Sequence, residues 1–387
     1  MNKAATLLPQ ETLEALIQFR RHLHAHPELA HQETETARLI VGYLVNCAPT
    51  IIHESIGGNG VLALFDSGKT GPTVLFRAEL DALPIEEIND FEYRSTKDQV
   101  SHKCGHDGHA TILLGLAQVL AEHPIPSGRV ALLFQPAEET GEGAALVLED
   151  PVFQELEIDF AFALHNLPGY PKHQVLVREG SFNASVKSLI LRLHGKTTHA
   201  AEPAHGINPA FAIAELIGLT QTLSQPDTRR ADFTLLTPIH IHLGEKAYGT
   251  AAGYGEFHLT LRCWSEAQMT QISHEIFRVV ERLREKYQLT IEHEWLQAFQ
   301  NNDNAAEAVH LVKAAAHAQG LSLYEPTEPF KWGEDFGLLT NKYKGALFGL
   351  GAGENHPVLH NPDYDFPDAL ILTGVRLFHS IASNILA

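Results

Sequence analysis

The sequence predicts an α/β protein with helices on both faces of a mixed, mostly parallel sheet and an inserted α+β module, and three observations carry that prediction. Its 387 residues exceed one ordinary hydrophobic core and suit two domains. In the first half, short wholly apolar runs alternate with segments of helical period, the pattern of strands buried on both faces under crossover helices. Near residue 185 that rhythm gives way to strand-helix-strand-strand-helix-strand, the split βαβ order of a ferredoxin-like unit.

Taken in order, TLEALIQFRRHL (12–23) carries apolar residues at helical spacing and predicts the first helix. GVLALF (60–65) and TVLFRAEL (73–80) follow as strands, and ATILLGLAQVLAEH (110–123) reads as a buried helix. RVALLF (129–134) and DFAFALH (159–165) are short apolar runs that suit strands covered on both faces. The inserted module supplies strands 186–195, 233–244, 255–264 and 289–296, with helices over 208–223 and 266–287. Helix 304–319, strand 345–351 and helix 367–386 then complete the first domain. The expected division is 1–184 and 295–387 as two parts of one domain, with 185–294 inserted between them.

With Lys+Arg 28 against Asp+Glu 47, the formal charge of −19 repels phosphate backbones and anionic membrane faces; the expected partner is a small molecule, with no nucleic acid and no membrane. No apolar run approaches the roughly 18 residues a spanning helix needs. MNKAATLLPQETLEAL (1–16) lacks a continuous apolar stretch and a small-residue cleavage site, so the expected location is cytoplasmic. Cys47, Cys104 and Cys263 are too scattered for a disulfide framework and fit a reducing compartment. Cys47 and Cys263, in apolar surroundings, read as buried and structural.

Chemistry concentrates at four strand or loop ends. CGHDGH (104–109) precedes helix 110–123, where unpaired N–H groups and the helix dipole favour a thiolate. Cys104 and His106 can point the same way from an extended loop and offer sulfur and imidazole to one ion; a surface histidine cluster beside a buried cysteine is the alternative. In FQPAEETGEGA (134–144), Glu138 and Glu139 project differently, so one suits metal coordination and the other general-base work; a solvated acidic loop is the alternative. His165 ends the strand in FALHN (162–166), and His356 and His360 follow strand 345–351; singly, each such histidine is more often a satisfied structural residue. An open α/β sheet gathers such strand ends into one crevice. His22, His24 and His26 in RRHLHAHPE read as capping and packing the first helix. There is no HExxH, no GxSxG elbow, no GxGxxG after a strand and no P-loop, which sets aside helix-borne zincins, serine hydrolases and nucleotide enzymes.

These residues, with RRHLHAHPEL (20–29), FRAELDALPIEE (76–87), ALHN (163–166), GKTTHAAEPAHGINPA (195–210), GEDFG (333–337) and LHNPDYDF (359–366), resemble the M20 metallopeptidase family over nearly the whole chain. Within it, the resemblance is to the amidohydrolase branch of hippurate hydrolases, N-acyl amino acid amidohydrolases and auxin-conjugate hydrolases. It implies a zinc-peptidase-like catalytic domain with an inserted ferredoxin-like lid. It implies two divalent ions per subunit (zinc, manganese, cobalt or nickel), bridged by Cys104, with His106, Glu139, His165 and His360 as the other ligands. Glu138 would serve as general base and then acid, and Asp81 would orient a ligand imidazole. His199, in the lid, would stabilise the oxyanion in the active site of a partner subunit, within a homodimer formed through the lid. The implied substrate is a small amide conjugate such as an N-acyl amino acid.

The sequence departs from the branch in three places. Glu79 stands where an aspartate is usual, Lys103 where a small residue precedes the cysteine, and YGTAAGYGEFHLTLR (248–262) where relatives supply a substrate-holding asparagine. The third departure bears on substrate choice and leaves the metal chemistry intact. Arg262 is a candidate anchor for a substrate carboxylate or, equally, a surface strand arginine. A dipeptidase or carboxypeptidase on the same scaffold and a non-catalytic metal-dependent binding protein are the rival functions; intact Glu138, Glu139 and His199 count against the second.

Overall fold

The structure is a computed structural model describing residues 7–387, so the start of the segment read above for an export signal lies outside the described residues. In chain order the elements begin with α1 (Gln10–Ala25), α2 (Thr34–Asn46), β1 (Ile51–Ile56), β2 (Gly60–Asp66), β3 (Thr73–Glu79), α3 (His106–Glu122) and β4 (Arg129–Gln135). They continue with α4 (Gly143–Glu149), α5 (Pro151–Gln154), β5 (Phe160–Pro168), β6 (Val175–Leu176), β7 (Gly180–Ser181), β8 (Ser185–His194), β9 (Thr198–His199), α6 (Ala210–Leu223) and β10 (Thr234–Leu243). The remainder is β11 (Thr250–Ala251), β12 (Tyr254–Cys263), α7 (Glu266–Tyr287), β13 (Thr290–Phe299), β14 (Asp303–Asn304), α8 (Ala306–Ala318), β15 (Leu323–Tyr324), α9 (Gly337–Thr340), β16 (Lys344–Gly353) and α10 (Leu370–Leu386).

Two compact units result: one contains the chain up to Phe182, Asn302–Pro326 and Glu334–Ala387, and the other Asn183–Asn301 with Thr327–Gly333. The second unit therefore extends past residue 294, where the sequence pattern ends the inserted module. The physical reason is the β13 ladder, whose pairing with β8 continues to Phe299 opposite Val186.

The first unit is built on an eight-stranded mixed sheet in the order β1-β2-β4-β3-β5-β16-β6-β15. Its middle four strands, β4, β3, β5 and β16, run parallel. Every residue of β3 is buried, Arg77 and Glu79 included, in keeping with the mainly apolar sequence of these strands. Phe76, Leu132, Phe162 and Phe348 share one core with Leu116 of α3 and Phe378 of α10. Phe76 stacks on Phe162 at 5.8 Å and meets Phe378 at 4.8 Å. The parallel arrangement sends the chain out of β3, β4, β5 and β16 at one edge of the sheet, where the loops holding Asp81, Cys104, Glu138, Glu139 and His360 begin.

The second unit is a four-stranded antiparallel sheet in the order β10-β12-β8-β13 with α6 and α7 packed on it, the topology of a ferredoxin-like unit. Strand β12 alternates half-buried and buried side chains along its length. Phe257, Leu259 and Leu261 face Leu189, Leu191, Ile276 and Leu283 in the core. Ser265 caps α7 by accepting the N–H of Gln268 at 3.3 Å.

Candidate metal centre

The centre starts with a glycine. Gly105 has φ +97°, and a Cβ there would lie 2.6 Å from Asn166 Nδ2 and 2.9 Å from Tyr364 Oη. Only glycine lets the loop turn from Cys104 into α3 while staying this close to β5 and to the loop carrying His360. Gly108 has the same purpose one turn on, since a Cβ would strike the Phe366 ring at 2.3 Å. Cys104, His106 and His109 are buried as a result.

Ligand-type atoms then converge. Cys104 Sγ lies 3.4 Å from His165 Nε2. His106 Nε2 stands 3.8 Å from Glu138 and 4.0 Å from Glu139, and His360 Nε2 is 3.7 Å from Glu139. Among the described residues, Cys104, His106 and His165 form one group able to hold an ion, and Cys104, Glu139 and His360 another; the thiol is common to both. His106, Glu138 and Glu139 form a third group between them.

Hydrogen bonds aim the imidazoles. His106 Nδ1 donates to the main-chain oxygen of Asp81 at 2.9 Å, with the Asp81 carboxylate at 3.5 Å. That carboxylate accepts the N–H of Glu139 at 2.9 Å, so Asp81 positions one candidate ligand by its main chain and another by its side chain. His165 Nδ1 donates to the main-chain oxygen of Asn166 at 2.9 Å, which turns Nε2 toward the thiol.

Two buried atoms test the fit to a cation: His106 Nε2 and Glu139 Oε1 make no hydrogen bond. Buried polar atoms are nearly always paired, and an imidazole nitrogen and a carboxylate oxygen that face each other at 4.0 Å with no hydrogen bond suit a metal ion held between them. The electrostatics agree. Burial lowers the proton affinity of His106, yet Asp81, Glu79 and Glu139 outweigh it and raise its pKa to about 10. Burial raises Glu139 to about 7 and pushes the Cys104 thiol well up. Burial with Glu334, Glu139 and Asp335 nearby pushes Glu138 well above the usual carboxylate range. Acidic groups crowded and buried in this way hold their protons until a cation takes the protons' place, and a bound cation releases them.

Two further residues, Arg77 and His109, support the edge from below and escape notice in the sequence. Arg77, buried in the apolar run of β3, pairs with Glu79, with Asp335 at 2.5 Å and with Glu334 at 3.0 Å. His109 Nδ1 donates to Glu79 at 2.8 Å, and its Nε2 accepts the Asn166 N–H at 3.1 Å. The signal for Arg77 was present as a charge inside an otherwise apolar strand. His356, paired in sequence with His360, bonds the main-chain oxygen of Asp365 at 2.6 Å and belongs to no ligand group among the described residues.

In the second unit, His199 is exposed on β9, and its Nδ1 accepts the Ala201 N–H at 3.0 Å. The neutral ring therefore carries its proton on Nε2, as a donor. Arg262 donates to the main-chain oxygen of Lys331 at 2.6 Å. Cys47 and Cys263 are buried thiols, as their surroundings imply.

A carboxyl with raised proton affinity beside a thiol shared by two ligand groups is working machinery for cation-assisted attack by water, and the protein is of that class, a metal-dependent hydrolase of amide bonds. The model of Peptidase family M20/M25/M40 matches residues 75–384, and the chain belongs to that family. It is 34% identical to a Synechocystis sp. relative that carries only a general hydrolase designation, over 97% of this chain and 95% of the relative. It is 31% identical to N-acetyl-L-cysteine deacetylase of Bacillus subtilis, over 97% and 89%. Its fold matches a Bacillus subtilis structure described as a dinuclear metal binding peptidase from the M20 family, with a TM-score of 0.83 at 26% identity, covering 98% and 99% of the two chains. Among the described residues no helix is long and apolar enough to cross a membrane.

Proposed function

We propose that the chain hydrolyses the amide bond of N-acyl amino acids or similar small amide conjugates at a dinuclear metal centre. The observation that carries this reading is the sharing of Cys104 between two ligand groups with Glu138 beside both. His106 and His165 would hold one ion and Glu139 and His360 the other, with Cys104 between them. Two divalent ions, zinc, manganese, cobalt or nickel, would supply electrophilic polarisation of the amide carbonyl and lower the pKa of the attacking water. Glu138, buried and close to other carboxylates, takes the proton from that water and returns it to the leaving amine. Asp81 keeps His106 and Glu139 in place during the reaction. His199 is assigned to the oxyanion, since the ring donates from Nε2.

A homodimer through the second unit completes the proposal, and would bring His199 to the centre of a neighbouring copy. Support comes from the edge strand β10, where Ile239, Ile241 and Leu243 are exposed. The relationship to a deacetylase of an N-acetyl amino acid supports the substrate class. A cytoplasmic site of action is part of the same reading.

The test is a panel of N-acyl amino acids set against dipeptides, each incubated with the protein and several divalent ions and read by mass spectrometry. Release of carboxylic acid and free amino acid from the N-acyl series supports the proposal. Cleavage of dipeptides alone makes the chain a dipeptidase on this scaffold, and intact substrates with tight metal binding make it a binding protein.

A further inference from the structure

The RRHLHAHPE motif and the unusual Lys103 meet in one buried ring that the chemistry above does not use. Arg20 Nη1 donates to Asp365 at 2.7 Å and to Asp107 at 3.2 Å. His24 joins Asp107 through Nδ1 at 2.9 Å and Glu87 through Nε2 at 3.0 Å. Lys103 Nζ donates to Glu87 at 2.6 Å and to the main-chain oxygen of Tyr364 at 2.8 Å. Since Tyr364 and Asp365 are neighbours, the path closes on itself.

Arg20, His24, Asp107, Glu87 and Lys103 are all buried. Both ring nitrogens of His24 face carboxylates, which only accept, so the ring carries both protons. Its pKa agrees: burial lowers it, but bonds to Asp107 and Glu87 raise it to about 9. Arg20 also donates through Nε to Asp368 at 2.9 Å, which Arg21 shares at 2.8 Å, so four cations, Arg20, Arg21, His24 and Lys103, balance the carboxylates of Asp107, Glu87, Asp365 and Asp368. Of the histidines read as capping and packing the first helix, His26 ends it and bonds the main-chain oxygen of His22 through Nδ1 at 2.8 Å, whereas His24 is buried and belongs to this ring.

The ring ties together the two loops that bear candidate ligands. Asp107 and Lys103 flank Cys104 and His106, whereas Tyr364 and Asp365 follow His360. The two loops also meet directly, with the His360 N–H donating to the main-chain oxygen of Lys103 at 2.8 Å. His360 itself has φ +65°, a left-handed conformation a histidine keeps only when its surroundings impose it.

We propose that Lys103, backed by His24 and Arg20, is a positioning residue that fixes the His360 loop and so sets the affinity of the Cys104, Glu139 and His360 group for its ion. The inference rests on the dinuclear reading of the centre.

Charge balance and tethering are separable by experiment. Lys103→Met with Glu87→Gln removes one cation and one carboxylate together, leaving no uncompensated charge but no tether to Tyr364. Metal affinities of purified apo-protein are measured by competition with a chromophoric chelator, using manganese and cobalt, with the melting temperature of the apo-protein alongside. The expected result is two ions in the wild type and, in the double variant, one affinity unchanged and the other weakened roughly 10- to 100-fold. Lys103→Arg restores that second affinity to within a few-fold. Asp365→Asn, at the end of the ring where the side chain is 22% exposed, weakens the same ion with a smaller change, and decides the matter should the double variant not fold. A folded double variant, or the Asp365 variant in its place, that binds both ions as tightly as wild type overturns the proposal and leaves the dinuclear reading standing. A wild type that takes up no ion overturns both.

Discussion

Cys104, His106 and His165 are buried and sit in or beside regular elements, whereas the His360 side chain, which joins Cys104 and Glu139, is 51% exposed on a loop. In the first group each imidazole is aimed by a main-chain oxygen close by, from Asp81 for His106 and from Asn166 for His165. In the second, the ligand loop is held by contacts with residues far away in sequence, among them Lys103. A ligand on a buried strand inherits its geometry from the fold; a ligand on a loop must be tethered. The buried group should therefore bind its ion more tightly than the exposed one.

The largest effect on that contrast comes from the residue both groups share. Cys104→Ala should abolish binding of both ions, a loss greater than the roughly 10- to 100-fold typical of an outer partner, and elemental analysis after dialysis measures it. Retention of one full equivalent would mean that the thiol serves one group alone. Next in size is Glu138→Gln, expected to keep both ions while turnover falls on the order of 10² or more. Loss of metal in this variant would recast Glu138 as a ligand.

How much of this was legible in the sequence follows the same contrast. The central strands announced themselves because burial on both faces makes them mainly apolar, and their parallel run predicted that Glu138, Glu139, His165 and His360 would gather at one edge. Helix α2 and strand β1 were not foreseen. Ile51–Ile56 lies at the sheet edge with most of its side chains partly or fully exposed, so the backbone ladder to β2 defines it and no apolar pattern does. The buried ring was invisible for a different reason. Arg20 and His24 are spaced like solvated helix residues, and their partners lie 63 to 348 positions away.

A smaller effect separates the groups themselves. His360→Ala should weaken one ion by more than the roughly 10- to 100-fold typical of an outer partner and leave the other in place, with the apo-protein's melting temperature little changed because the side chain is half-exposed. His165→Ala should remove the other ion and also lower that temperature, since it opens space in a buried site. Equal losses from both variants would erase the contrast.

The smallest effect concerns stability and pH. His24 has a folded pKa of about 9 against an ordinary 6.5, so the folded state holds a proton that the unfolded chain releases. Its contribution is complete below pH 6.5 and disappears as pH rises through about 9, amounting to at most about 3 kcal/mol. Urea unfolding of the wild type should show this decline between those pH values, and His24→Gln should flatten it. An unchanged slope in the variant would place the pH dependence elsewhere.

The shared thiol is the central claim, and anomalous diffraction from crystals grown with manganese or zinc tests it most directly. The account predicts two metal peaks on either side of Cys104 Sγ, both bonded to it, one also contacted by His106 and His165 and the other by Glu139 and His360. A single peak, or two peaks with the sulfur bonded to neither, would contradict it.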